Sequence, residues 1–135
     1  MVPKHCNADY FERWYRGPEA PRGDAELRRD VALALAAAES VLARQVETVL
    51  DVGAGEGRWA EVLHELRPGL RYFGIEPSDY ALERFGTARN LHRGNFGTLE
   101  QHAFDDPFDL VVCADVLHYL SDAEIERGLP VFADL

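Results

Sequence analysis

A glycine-rich turn and two carboxylates are the most reactive features of this sequence. The turn at 53–57 reads Gly-Ala-Gly-Glu-Gly and follows Asp51 and a short apolar, β-branched segment. Glycines let a ligand approach the backbone closely, and the next helix offers free N–H groups. Glu76 ends a second apolar segment, where a carboxylate can accept hydrogen bonds from both hydroxyls of a ribose. Together these features predict a nucleotide-type site, although each alone also fits a structural turn or a solvated charge.

The spacing of the glycines separates two kinds of nucleotide site. A dinucleotide-binding fold has the pattern G-x-G-x-x-G, with a third small residue where this chain has Arg58. The pattern here is G-x-G-x-G. The sequence therefore disfavours a nicotinamide dinucleotide as the ligand.

Alternating strands and helices are predicted to position these residues. The strands are predicted at residues 48–52, 71–76, 91–96 and 108–114. The helices are predicted at residues 24–44, 58–67, 78–85 and from 121 onward. Asp24 and Ser78 are expected to act as helix caps, and Ser121 with Glu124 has the form of a capping box. This order predicts an α/β fold with a doubly wound, mainly parallel sheet and helices on both faces.

A single domain is expected over residues 1–135, with an N-terminal helical or lid segment at 1–45 and a ligand-binding half at 46–135. In the first part, Phe11, Trp14 and Tyr15 have the spacing of one helix face. This aromatic face is expected either to dock on the core or to form a lid over the ligand site. The sequence leaves both alternatives open.

Charge and cysteine content limit the partners. The net charge is −10, and basic residues form no cluster beyond Arg28-Arg29, which argues against nucleic acid and anionic membranes as partners. The longest apolar run, residues 31–38, is too short to span a bilayer, and the N-terminus has no hydrophobic signal stretch. Cys6 and Cys113 are interpreted as reduced thiols. A cytoplasmic protein is therefore expected.

The loop at 53–57 with Asp51, followed by Glu76, resembles the cofactor-binding motif of class I S-adenosylmethionine-dependent methyltransferases. The similarity continues through Gly94-Asn95-Phe96 and from Phe108 to Tyr119, within a region of roughly Val49 to Glu126. The resemblance implies a Rossmann-like methyltransferase domain that binds S-adenosyl-L-methionine.

The resemblance also implies roles for individual residues at the first two strands. The residues implied to contact the methionine and ribose portions of the cofactor are Asp51, Gly53, Ala54 and Gly55. Glu76 is implied to hold the ribose, and Pro77 to lie against the adenine.

Two further cofactor contacts are implied after the third and fourth strands. Asn95, beside Phe96, stands where the family often has an acidic residue, and its amide oxygen can still accept a hydrogen bond from the adenine amino group. The backbone near Ala114 is implied to meet the methionine amino group.

His118, just past the fourth strand and beside Tyr119, is the candidate general base. A neutral imidazole near pH 7 can take a proton from a hydroxyl or ammonium nucleophile, although a lone histidine also fits local packing or capping. No metal site is predicted, because no metal-ligand spacing to one another or to a cysteine is found for His5, His64, His92 and His102.

The chain ends just after the fourth strand and its helix, whereas members of that family usually continue with further strands. A strand order of 3-2-1-4 is expected, with residues 110–114 as an exposed apolar edge that invites pairing. The chain is thus expected to be a fragment of a longer enzyme, or to have this edge covered by a homodimer or a partner chain. The two function classes are methyl transfer to a small-molecule acceptor and a non-catalytic cofactor-binding or interaction module.

Overall fold

The computed structural model describes residues 6–18, 20 and 23–135, and a four-stranded parallel sheet lies at its centre. The strands are β1 Thr48–Val52, β2 Arg71–Glu76, β3 Leu91–Arg93 and β4 Leu110–Val112. Their order in the sheet is β3-β2-β1-β4, and all three pairings are parallel. The predicted strand order and the parallel sheet are therefore confirmed. The predictions that concern residues 1–5, among them that for His5, lie outside the described part.

In the described part of the chain, five helices and two short 3-10 turns flank or connect the strands. The helices are α1 Ala8–Phe11, which continues as a π-helical turn Glu12–Arg16, α2 Asp24–Leu42, α3 Arg58–Leu66, α4 Asp79–Arg89 and α5 Asp122–Ala133. The 3-10 turns are Phe96–Gln101 and Leu117–Tyr119. Because all the strands run parallel, their carboxyl ends lie along one edge of the sheet.

The apolar residues of β1 divide the core into two layers. Val49 faces one layer, which α2 and α3 cover with residues such as Val31 and Leu63. Leu50 faces the opposite layer, where Phe96 packs and α5 closes the face. A strand that is buried on both sides reads as a continuous apolar run, as β1 does. The predicted helices on both faces of the sheet are confirmed.

One predicted cap and one predicted helix end turn out differently. Asp24 was expected to cap α2, but the cap is Gly23, and the backbone N–H of Gly23 donates to the Glu26 carboxylate at 3.2 Å. Ser78 does cap α4, since its Oγ accepts from Ala81 N–H. The α4 helix continues through Gly86 to Arg89 rather than ending at about residue 85, and the left-handed residue Asn90 forms its C-cap.

The outer strands are shorter than predicted. β3 ends at Arg93 because Phe96 turns inward and packs against α5, where its ring lies 5.4 Å from that of Phe132. β4 has only three residues, all paired with β1. Its other hydrogen-bonding edge has no strand beside it among the described residues, as expected. The side chains of 110–114 are half-buried or buried rather than exposed, because helices cover both faces of the sheet.

Within the described residues, no helix is both long enough and apolar enough to cross a membrane.

Candidate functional site

The glycine-rich turn joins β1 to α3 at the carboxyl edge of the sheet. The N–H groups of Gly53 and Ala54 both donate to the Ile75 carbonyl, at 2.8 and 3.0 Å, which fixes the turn against β2. Gly53 and Gly55 have positive φ angles of 77° and 59°. A Cβ at Gly53 would lie 3.1 Å from Val116 Cγ1, so the segment after β4 packs directly on this glycine. Both the backbone angle and the close packing thus require glycine here.

Glu76 lies at the tip of β2 with its carboxylate turned toward the glycine turn. Its two oxygens accept hydrogen bonds from Gly55 N–H at 2.8 Å and Ser78 N–H at 2.9 Å. The residue is only 4% exposed, and this burial raises the pKa of the carboxyl group while the two N–H donors oppose the rise. A carboxylate offers about four acceptor positions, so the two N–H groups leave room for two further donors.

Asp51 is buried one strand away from Glu76. The Tyr72 hydroxyl donates to Asp51 Oδ2 at 2.7 Å. Burial raises the pKa of Asp51 to about 7, the Tyr72 hydrogen bond counteracts the rise, and the negative charge of Glu76 adds to it. The structure therefore brings the two predicted carboxylates together, and one of them titrates near neutral pH.

Asn95 follows β3 at the same edge of the sheet. Its side-chain oxygen Oδ1 is buried and has no hydrogen-bond partner among the described residues. A buried acceptor that is left unsatisfied costs free energy, so the Asn95 oxygen indicates a position where a ligand could donate a hydrogen bond. The neighbouring Phe96 is a core residue, with its ring against Phe132 of α5.

The remaining predicted residues lie at the rim. Pro77 is exposed, and Ala114 is half-buried and packs against the first core layer. His118 is exposed on the 3-10 turn after β4, and its ring centroid lies 3.9 Å from that of Tyr119. The contacts of His118 are thus with its neighbour rather than with Asp51 or Glu76. In the part of the chain that the structure describes, no group of three or more potential metal ligands is close enough to hold an ion.

Residues 6–16, which we call the strap, lie across this edge of the sheet. The Phe11 ring is buried and stacks on Tyr80 with 5.2 Å between centroids. The Tyr15 ring covers the glycine turn, since a Cβ at Gly55 would lie 3.2 Å from Tyr15 Cζ. Burial, followed by the charges of nearby carboxylates, raises the pKa of the Tyr15 hydroxyl. The aromatic face therefore docks on the protein and covers the glycine turn at the same time.

Two contacts of the strap could not be read from the sequence. Arg16 forms two hydrogen bonds with the Glu56 carboxylate, at 2.8 and 2.9 Å. Tyr10 donates from its hydroxyl to that of Tyr119 at 3.3 Å, so the strap also meets the turn after β4. One sequence signal existed: a carboxylate in a buried glycine turn needs a cationic partner. The partner itself is 40 residues away, and no local pattern identifies it.

Residues 50–135 match a protein family described as methyltransferase domain. An uncharacterized methyltransferase of Geobacillus thermodenitrificans (strain NG80-2) is 29% identical over 133 residues. A second uncharacterized methyltransferase, from Anoxybacillus flavithermus (strain DSM 21510 / WK1), is 30% identical over 136 residues. Each match covers 94% of this chain and 60% of the relative, so the chain spans about 60% of the length of these relatives.

Solved structures of low sequence identity share the fold. The plantazolicin methyltransferase BpumL, in complex with a triazolic desmethylPZN analog and SAH, has a TM-score of 0.59 and 15% identity. That similarity covers 90% of this chain and 52% of BpumL. The plantazolicin methyltransferase BamL, in complex with the same two ligands, has a TM-score of 0.53 and 19% identity, over 76% of this chain and 42% of BamL.

Proposed function

The chain belongs to the family of methyltransferase domains, and we propose that it forms the cofactor-binding part of an enzyme that transfers a methyl group from S-adenosylmethionine to a small-molecule acceptor. The observation that carries the proposal is the Glu76 carboxylate, which is held against Gly55 N–H at the end of β2 with acceptor positions to spare. A ribose has two adjacent hydroxyl donors, which match those positions. The SAH bound to the structural neighbours is consistent with this cofactor.

The orphaned acceptor at Asn95 supports the fit to the adenine. Its Oδ1 is a buried acceptor without a donor among the described residues, and an adenine amino group is a donor. Asn95 also follows β3, the strand next to β2, so it lies at the same edge of the sheet as Glu76. We assign the ribose to Glu76, the adenine amino group to Asn95 and the adenine face to Pro77.

The methionine portion of the cofactor would lie at the glycine turn and the tip of β4. We place the methionine portion next to Asp51, Gly53, Ala54, Gly55 and the Ala114 backbone, at the ends of β1 and β4. Phe96, beside Asn95, lies in the core behind the adenine position. Asp51 would provide a negative charge near a ligand that carries positive charge, and such a ligand would lower the pKa of Asp51 below its present value of about 7.

When bound, S-adenosylmethionine supplies an electrophilic methyl group, whose transfer depends mainly on in-line alignment with the acceptor. The protein's task is then to hold the acceptor and, for some nucleophiles, to remove a proton. His118 is the proposed proton acceptor, with Tyr119 as a neighbouring hydroxyl, because both lie on the exposed turn after β4. A chain that binds the cofactor but turns over no acceptor would instead be a non-catalytic binding module.

The test is a calorimetric titration of the purified chain with S-adenosylhomocysteine, with NAD as a comparison ligand. At about −0.3 kcal/mol per non-hydrogen atom, a ligand of this size is expected to bind with a micromolar dissociation constant. Replacing Glu76 by alanine should weaken binding at least about tenfold, since a hydrogen bond to a charged group contributes about 1.5–3 kcal/mol. NAD should not bind.

The matched control is Glu83→Ala, which removes an exposed carboxylate from α4. This variant should bind S-adenosylhomocysteine as the unmodified chain does. Because Glu76→Ala also removes the acceptor of two backbone N–H groups, Glu76→Gln serves as a second variant that keeps an acceptor oxygen. Unchanged affinity in both Glu76 variants would refute the ribose assignment.

A further inference from the structure

The strap covers the tip of β2, where Glu76 lies. With residues 6–16 in place, Glu76 is only 4% exposed. Tyr15 lies over the glycine turn, and the Ser78 hydroxyl donates to the Cys6 carbonyl beside the tip of β2. A ligand of the size of a nucleoside cannot reach these groups while the strap stays where it is. The strap must therefore move for a ligand to enter or leave.

The contact best suited to control this movement is the ion pair between Arg16 and Glu56. The guanidinium donates to both oxygens of the carboxylate, at 2.8 and 2.9 Å. The Glu56 side chain is only 5% exposed, whereas that of Arg16 is 39% exposed. Glu56 itself is fixed, because it belongs to the glycine turn and its carbonyl accepts from Arg89 at 2.6 Å. The fixed partner, Glu56, is thus in the glycine turn, and the mobile partner, Arg16, is on the strap.

Burial of Glu56 makes this pair sensitive to the loss of its cation. Removing one partner of a buried pair leaves a desolvated charge and is strongly destabilising, although the intact pair contributes little to stability. Without Arg16, closure of the strap would bury the Glu56 carboxylate with its principal donor missing. The open strap, in contrast, leaves that carboxylate accessible to water. Loss of Arg16 should therefore shift the strap toward open states with little effect on the remaining fold.

We propose that Arg16 is a positioning residue, whose ion pair with Glu56 latches the strap over the sheet edge and thereby controls access to the site. The identity of the ligand rests on the proposed function, whereas the latch itself does not. Phe11 anchors the strap on Tyr80, so release of the latch frees the end that carries Tyr15 and leaves the other end attached.

Hydrogen–deuterium exchange of the ligand-free chain tests the latch directly. In the Arg16→Gln variant, amides 12–17 should exchange at least about tenfold faster than in the unmodified chain, while those of α2 and β1 should not change. The matched control is Arg28→Gln, which breaks an ion pair with Glu65 between α2 and α3 and should leave exchange in the strap unchanged. Arg16→Lys keeps the charge but replaces the guanidinium by an ammonium group, and it should give an intermediate rate.

Ligand kinetics test the control of access. Trp14 lies in the strap, and a Trp59→Phe background leaves it as the sole tryptophan, so stopped-flow fluorescence reports on the strap itself. Arg16→Gln should raise both the association and the dissociation rate constants of S-adenosylhomocysteine at least about threefold, since an open strap admits and releases ligand faster. The Arg28→Gln control should show the rates of the parent background.

The outcomes separate the latch from the proposed function. Unchanged exchange in the strap of Arg16→Gln overturns the latch, whatever the ligand does. If the strap amides of Arg16→Gln exchange faster but the association and dissociation rate constants of S-adenosylhomocysteine do not change, the latch does not control access to the site. If the unmodified chain binds no S-adenosylhomocysteine while the strap still responds to Arg16→Gln, the proposed function fails and the latch stands.

Discussion

Replacing Gly55 by alanine should destabilise the protein through two separable effects. The first is backbone strain, because Gly55 has a φ angle of 59°, where a residue with a Cβ costs about 1–2 kcal/mol. The second is a contact with the strap. The added methyl group would overlap the Tyr15 hydroxyl and lie 3.2 Å from Tyr15 Cζ and 3.5 Å from Phe11 Cε1. Such overpacking typically costs about 1–3 kcal/mol.

A matched variant isolates the contact from the strain. Gly69 also has a positive φ angle, of 93°, but a Cβ there meets no atom within 4 Å. Gly69→Ala should therefore show the backbone cost alone, about 1–2 kcal/mol, whereas Gly55→Ala should cost about 2–5 kcal/mol. The difference between the two variants measures how firmly the strap sits on the glycine turn.

Urea denaturation of four variants supplies the free energies of unfolding. The variants are Gly55→Ala, Gly69→Ala, Tyr15→Phe and the double variant Gly55→Ala/Tyr15→Phe. Removing the Tyr15 hydroxyl takes away the closest atom, so the cost of Gly55→Ala measured in the Tyr15→Phe background should fall toward that of Gly69→Ala.

One result would refute the reasoning. If Gly55→Ala costs no more than Gly69→Ala, and if Tyr15→Phe does not change that cost, then the Tyr15 hydroxyl does not lie against the glycine turn in solution. The strap would then not cover the site, and the latch proposed for Arg16 would lose its structural basis.

Two predictions concern pH. Asp51 has a folded-state pKa of about 7, well above its unfolded value, so the unmodified chain should lose stability as pH rises from about 4 to 7. Asp51→Asn should remove this dependence on pH and should be more stable than the unmodified chain at pH 7.5 by up to about 4 kcal/mol. Equal pH dependence of the two proteins in a series of urea denaturations would contradict this prediction. Asp109 has its pKa lowered to about 2, first by the hydrogen bonds from Arg44 and then by backbone N–H donors. Its contribution is therefore present above about pH 4 and lost as pH falls toward 2. Asp109→Asn should lower the melting temperature by several degrees at pH 7 and by almost nothing near pH 2, and a constant difference across this range would exclude the pair as the cause.

The inner strands and the glycine turn could be predicted from the sequence because their signals are local. β1 and β2 have the predicted bounds, since each is a short apolar run that is stopped by glycine or proline. The Ser121 capping box is also where the sequence places it, because both of its hydrogen bonds join residues three positions apart. Patterns of this kind act within one turn or one strand and need no knowledge of the rest of the chain.

Tertiary contacts decided the elements that the sequence misjudged. β3 was expected to reach residue 96, but the Phe96 ring packs on α5, where even a Cβ at Gly128 would find no room. The sequence is compatible with a strap that docks on the core and with one that covers the site. Phe11 stacks on Tyr80 and Tyr15 lies against Gly55, so the strap does both. Each of these contacts joins residues more than 30 positions apart, so no periodicity along the chain reports them.

The chemistry of the site divides in the same way. The local sequence pattern identifies the groups at the carboxyl edge of the sheet, which are the glycines of the turn, Asp51, Glu76 and the amide of Asn95. The protonation and pairing of these groups depend on the folded chain. Burial raises the pKa of Asp51, the Asn95 oxygen has no donor among the described residues, and Glu56 pairs with an arginine 40 residues away. Desolvation depends on everything that surrounds a group, and those surroundings come from segments that are far apart in the chain.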